Sequence, residues 1–178
     1  MAKAIEVSMR ASTGYATSDD FCRIFSQEID SLYLLGLLLT GDPAKAEQCF
    51  VAGIGDSVEG NPVFREWARS WARRAIIRQA IRIIEPAREK LTTVNTEPLG
   101  LEIEPRLMTI LELADMERFA FVMSVLEGYS YQDCATLLGS SRQDVVNARA
   151  RALEHLAKAG ELVATDGQGL PGAYTLAS

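Results

Sequence analysis

The chain has 178 residues, 48% of them apolar, and a net charge of −6, which is the composition of a globular protein and not of a disordered one. Its longest apolar run, "LYLLGLLLTGD" from Leu32, covers about half of the roughly twenty residues a membrane-spanning helix needs. The start, "MAKAIEVSMRASTGYATSDD", lacks the apolar stretch of a signal peptide, so a cytoplasmic protein with no membrane partner is expected.

Phe21, Ile24, Phe25, Ile29, Leu32, Leu35 and Leu39 recur at three and four and predict one long amphipathic helix, capped by Ser18, Asp19 or Asp20 and stopped by Gly41, Asp42 and Pro43. A second helix is expected from Ala44 to Ile54, ahead of the turn-rich "GDSVEGNP", and a third from Val63 to Ile84. Three apolar stripes can be buried only against one another, so residues 19–85 are read as a three-helix domain.

Acids dominate the early part of that domain. Between Thr17 and Gly60, Asp19, Asp20, Glu28, Asp30, Asp42, Glu47, Asp56 and Glu59 stand against Arg23 and Lys45. The third helix reverses the sign, because Arg65, Arg69 and Arg73 are spaced by four, as are Arg74, Arg78 and Arg82. Such rows are either a solvated face that covers apolar surface with arginine stems or the docking face for an anionic partner such as a phosphate backbone.

Residues 86–106, with Pro86, Pro98, Gly100 and Pro105, follow neither period and are read as a linker. Leu107, Ile110, Leu111 and Ala114 begin a second helical domain, 107–159, followed by a flexible tail, 160–178. Within it Ser130 and Asp133 form a capping pattern for a helix from Tyr131 to Leu138, Gly139 supplies a left-handed stop, and Ser141 and Asp144 cap the next helix at once. Two helices joined by about three residues including Gly have helix-turn-helix spacing. Ala135, Leu138, Val145, Ala152 and Leu156, with Leu111, Phe119, Val122 and Leu126, are the expected core. Arg142, Gln143, Val146 and Asn147 are left outward at the start of the second helix, where a recognition helix reads base edges; an ordinary helical hairpin with a wet face is the other reading.

Cys22, Cys49 and Cys134 lack metal-ligand or disulfide spacing and are expected to be buried, and His155 is expected on a helix surface. No Gly-rich phosphate loop, Gly-x-Ser-x-Gly elbow or His-Glu-x-x-His pair is present, so no enzyme, metal or cofactor is expected.

The segment "LADMERFAFVMSVLEGYSYQDCATLLGSSRQDVV" resembles the C-terminal domain of extracytoplasmic-function sigma factors at Leu113, Arg118, Glu127, Gly128, Tyr129, Ser130, Asp133, Cys134, Ala135, Leu138, Gly139 and Val145. "LLLTGDPAKAEQCF" and "FREWARSWARRAIIRQAIR" are similar to the family's first domain, and the two matches stand in the family's order. The resemblance implies an all-α chain: an N-terminal three-helix sigma-like domain and a C-terminal helix-turn-helix domain of the winged-helix-like superfamily. It implies a dissociable subunit of core RNA polymerase that binds promoter DNA, with an anti-sigma factor as a further partner. Carried over, Phe64, Arg65, Trp67, Arg69, Arg73, Arg74 and Arg78 face the downstream promoter element, and Arg142, Gln143, Val146 and Asn147 the upstream one.

The chain departs from that pattern in places. Gln48, Val51 and Ala52 stand where the family carries its polymerase-contacting Asp and Gln-Glu; Val146, Asn147 and Ala148 replace Lys-Ser-Arg; and Arg149 replaces an apolar residue, so that it must snorkel out or rotate the helix. These departures keep a second function open: a sigma-like interaction module that binds an anti-sigma factor or another regulator without promoter activity.

Overall fold

The computed structural model describes residues 14–87 and 105–166, the side chains of the latter range from Leu107 to Gly160. The chain divides into two compact units, Met1–Ile83 and Ile84–Ser178. Among the described residues all regular structure is helical, with one isolated antiparallel bridge between Tyr15 and Phe64.

In the first unit the expected long helix is two helices, α1 (Ser18–Gln27) and α2 (Ile29–Thr40), broken at Glu28 (φ −112°, ψ 22°). Breaking the helix there shifts the register, which turns Ile29 to solvent at 51% exposure while Leu32, Leu35 and Leu39 stay buried. The cap falls one residue earlier than expected, at Thr17, whose hydroxyl accepts from Asp20 N–H while the Asp20 carboxylate takes the Thr17 N–H at 3.0 Å. Gly41, in the left-handed conformation (φ 67°), stops α2, and the Asp42 carboxylate caps α3 (Pro43–Glu59) by accepting from Ala44 and Lys45 N–H.

Helix α3 runs past its expected end at Ile54, through Gly53 and Gly55. Each glycine costs a helix about 1 kcal/mol relative to alanine. Gly53 has a packing reason to be there: a Cβ would lie 2.7 Å from Ile76 Cδ1, so the missing side chain lets α3 approach the next helix closely. That helix, α4 (Ala68–Ile84), follows a 3-10 turn at Arg65–Trp67 and buries Ala68, Ala72, Ala75, Ile76, Ile77 and Ala80. The expected three-helix domain thus holds four α-helices among its described residues.

The second unit contains α5 (Pro105–Leu111), α6 (Asp115–Phe121), a π-helical turn (Val122–Leu126), α7 (Tyr131–Leu138) and α8 (Arg142–Asp166). Helix α5 takes up the last two residues assigned to the linker, and the rest of that segment from residue 88 lies outside the described residues. Helix α8 continues to Asp166, past the expected boundary at Ala159, so the first part of the expected tail is helical; residues 167–178 lie outside the described residues.

Its core holds Leu111, Leu113, Phe119, Val122, Met123, Cys134, Ala135, Leu138, Val145, Ala148 and Ala152. Two expected core residues differ. Leu126 is 48% exposed, because the π turn, closed by Glu127 N–H to Val122 O at 3.0 Å, inserts a residue and rotates the following side chains outward; Leu156, nearer the free end of α8, is half-buried. Cys49 and Cys134 are buried, whereas Cys22 is exposed on the outer side of α1.

Candidate nucleic-acid interface

The helix-turn-helix is built from local bonds. Ser130 accepts from Asp133 N–H at 3.1 Å and donates to its carboxylate at 2.6 Å, which opens α7. Gly139 closes α7 at φ 63°, ψ 32°, its N–H reaching Ala135 O. Ser141 and Asp144 repeat the reciprocal cap at the start of α8. Val145, Ala148 and Ala152 turn inward, which leaves Arg142, Gln143 and Asn147 exposed on the first turns of α8 and Val146 half-buried beside them. Gln143 Nε2 donates to Asn147 Oδ1 at 2.9 Å, so these two amides are already oriented along one face. Arg142 makes no hydrogen bond or ion pair among the described residues. Arg151 is drawn off this face, its Nε 2.8 Å from Glu117 Oε1; exposed His155 approaches the other oxygen of Glu117 at 3.6 Å.

The arginines of the first unit sit differently. Arg65 pairs with Asp20 at 3.2 Å, a carboxylate shared with Arg23. Arg69 Nε lies 3.1 Å from Glu28 Oε1, an ion pair without hydrogen-bond alignment. Arg73 donates to Ser31 Oγ at 2.9 Å. Arg78 and Arg82 converge on Asp56 Oδ2 at 3.5 and 3.4 Å, an oxygen that also accepts from buried Gln79 at 2.7 Å. Half-buried Arg74 makes no ion pair or hydrogen bond among the described residues. The rows are therefore partly neutralised by acids of the same unit. The pairs of Arg69, Arg78 and Arg82 remain at the surface, where each contributes about 0–1 kcal/mol, so a polyanion can exchange them at small cost, whereas Arg65 sits on the buried Asp20 carboxylate.

Trp67, 57% exposed, meets Phe64 edge-on at 5.3 Å, and Phe64 stacks on Tyr15 at 4.7 Å. Tyr15 joins this exposed aromatic group through the bridge that pairs Ala16 N–H with Val63 O and Arg65 N–H with Gly14 O. Sequence reasoning missed it because nothing local links residues so far apart. Among the described residues no cluster of His, Cys, Asp or Glu is placed to hold a metal ion, and no helix is long and apolar enough to cross a membrane.

Two carboxylates report on this architecture through pH. The Thr17 backbone and hydroxyl donors, then Arg65 and Arg23, hold Asp20 below its ordinary 3.8; the Ser141 hydroxyl and N–H do the same for Asp144. A carboxylate whose folded value is depressed stabilises fully above the ordinary range and loses that contribution as pH falls through the lowered value. The urea midpoint of helical circular dichroism is expected to decline on acidification below that range, with a smaller decline in Asp20→Asn; equal acid sensitivity of the two proteins contradicts the assignment.

Two capped helices around a left-handed glycine, with a polar tip on the second and a shared apolar core beneath, have the geometry of a helix-turn-helix. Residues 107–156 match the family described as sigma-70, region 4. The solved structure of the sigma factor RpoE in complex with the anti-sigma factor NepR from Bartonella quintana aligns with 80% of this chain and 98% of its own, at 18% identity and a TM-score of 0.47. No curated protein matches the sequence.

Proposed function

We propose that the chain is a sigma factor of the extracytoplasmic-function type, which directs core RNA polymerase to promoters. In this reading residues 19–85 engage the polymerase and the downstream element through α4 and the aromatic group around Trp67, and residues 107–159 bind the upstream element. The observation that carries it is the doubly capped helix-turn-helix in the region 4 segment, whose second helix offers Arg142, Gln143 and Asn147 to solvent over its first turns. These side chains suit paired hydrogen bonds to base edges, and the half-buried methyls of Val146 suit a thymine methyl.

The test is capture of core polymerase by the purified chain, followed by transcription from a promoter selected with the resulting holoenzyme. Arg142→Ala is expected to cost upstream-element binding about 1–3 kcal/mol and to relax specificity at one base position. A loss equal on all sequences would instead make Arg142 a phosphate contact.

One observation favours the second reading, a sigma-like module that binds a protein regulator without promoter activity. Asp20, Glu28 and Asp56 already occupy Arg65, Arg69, Arg78 and Arg82. At the surface where polymerase contacts are expected, exposed Val51 replaces a polar group. Capture of neither polymerase nor DNA at low salt would favour that function.

A further inference from the structure

Arg149 stands where the sigma-factor pattern has an apolar residue, and the structure shows what becomes of it. Its neighbour Ala148 fills the core, while Arg149 lies half-buried and reaches back across the turn to α7. There Nη1 donates to the Tyr131 hydroxyl at 2.7 Å, and the guanidinium carbon sits 5.6 Å from the centre of the Tyr131 ring. The cation is thereby held in one place by a hydrogen bond and a ring face. Its donors are underused: of the five N–H groups of an arginine only the bond to Tyr131 is made among the described residues, and Nε is shielded from solvent without a partner.

This fixed cation borders a surface cavity of about 360 Å³ that is also lined by Tyr129, Ser130, Tyr131, Gln132 and Arg142. No lining residue is acidic. The carboxylates of Asp133 and Asp144, which adjoin the lining in sequence, are engaged by the hydroxyls of Ser130 and Ser141. Two guanidiniums facing one cavity with no carboxylate between them repel, and an entering anion removes that repulsion. The Tyr131 hydroxyl, which accepts from Arg149 and keeps its own proton, and the Gln132 amide beside guanidinium forks are donors matched to the oxygens of a tetrahedral phosphate.

We infer that this cavity is a phosphate-binding site, with Arg149 as its fixed cation. The phosphate is either a phosphodiester of duplex DNA, which deepens the function proposed above and rests on it, or the phosphate of a free small molecule. In the first case Arg149 brings to the DNA backbone, from another direction, a positive charge that Val146, Asn147 and Ala148 do not carry.

The arginine Nε–Hε resonances of the intact 15N-labelled chain test this, with inorganic pyrophosphate and a non-specific DNA duplex as separate probes. Both are expected to move the Arg149 signal. Arg149→Leu, verified as folded by circular dichroism, is expected to weaken pyrophosphate binding at least tenfold and to flatten the log–log salt dependence of duplex binding by about one. Tyr131→Phe, which frees the guanidinium while keeping its charge, is expected to cost about three- to tenfold for either probe. Pyrophosphate binding that needs Arg149, with duplex binding indifferent to it, supports the site and assigns it to a small molecule. Failure of the wild type to bind any duplex overturns the DNA reading, while the pyrophosphate result still decides the site. If neither probe moves the Arg149 resonance, or if Arg149→Leu binds both as the wild type does, there is no phosphate site here.

Discussion

Replacing Arg118 with methionine is expected to unfold the second unit while leaving the first intact. Arg118 is 3% exposed, yet it is fully engaged: Nη1 donates to the carbonyls of Leu113 at 2.9 Å and Leu111 at 3.3 Å, and Nη2 to the Asp115 carboxylate at 2.5 Å. Burial pushes its pKa below the ordinary guanidinium range and Asp115 opposes this, so the side chain remains a cation that ties the end of α5 to the start of α6. Methionine fills much of the same space but strands two carbonyls and a carboxylate, a loss of about 3–5 kcal/mol for one partner of a buried pair. That is a large part of the roughly 5–15 kcal/mol that holds a domain together. Both tryptophans, Trp67 and Trp71, belong to the first unit. In urea, tryptophan fluorescence should keep the wild-type midpoint while helical circular dichroism loses part of its amplitude at much lower denaturant. A single unchanged transition would show that the Arg118 bonds contribute little.

Asp56→Asn is expected to raise affinity for DNA. One oxygen, Asp56 Oδ2, holds Arg78, Arg82 and Gln79 together. Asparagine still offers an oxygen to Gln79, so the buried amide keeps its acceptor, but the two guanidiniums lose their counter-charge. If α4 lies along DNA in the proposed complex, each freed arginine adds a phosphate contact, steepening the log–log salt dependence by about 0.9 and raising affinity roughly tenfold at low salt. Arg78 also lies over the Trp71 ring, 5.8 Å from its centre. Duplex titrations over a salt series give the answer. Identical affinity and slope in the two proteins would place α4 away from DNA and favour the protein-binding function.

The arginine rows show how far pattern reading reaches. Their spacing by four was visible, and so was the excess of acid upstream, but not that Asp20 would meet Arg65 and Asp56 would meet Arg78 and Arg82. Spacing along a helix determines which side chains share a face; it says nothing of which other helix that face meets. Arg149 marks the same boundary, since its misfit in an apolar position was legible while the Tyr131 hydroxyl that receives it was not. Among the aromatics, Trp67 and Phe64 stand in one short motif, but Tyr15 reaches Phe64 only because the chain returns and forms a bridge.

What the sequence alone determined is everything enforced within about one helical turn: the all-helical class, the Ser130 and Ser141 caps, the stop at Gly41, the left-handed stop at Gly139, and the polar tip of α8. These depend on bonds three or four residues long, which any chain with the same local order would make. Tertiary structure decided the break at Glu28, the passage of α3 through Gly53, the π turn that exposes Leu126, and the charge state of the candidate surface. The close passage at Gly53 and the ion pairs depend on what another element presents, as when Arg65 reaches back 45 residues to Asp20. Such pairings are selected by packing an entire unit at once, and no window along the chain contains both partners.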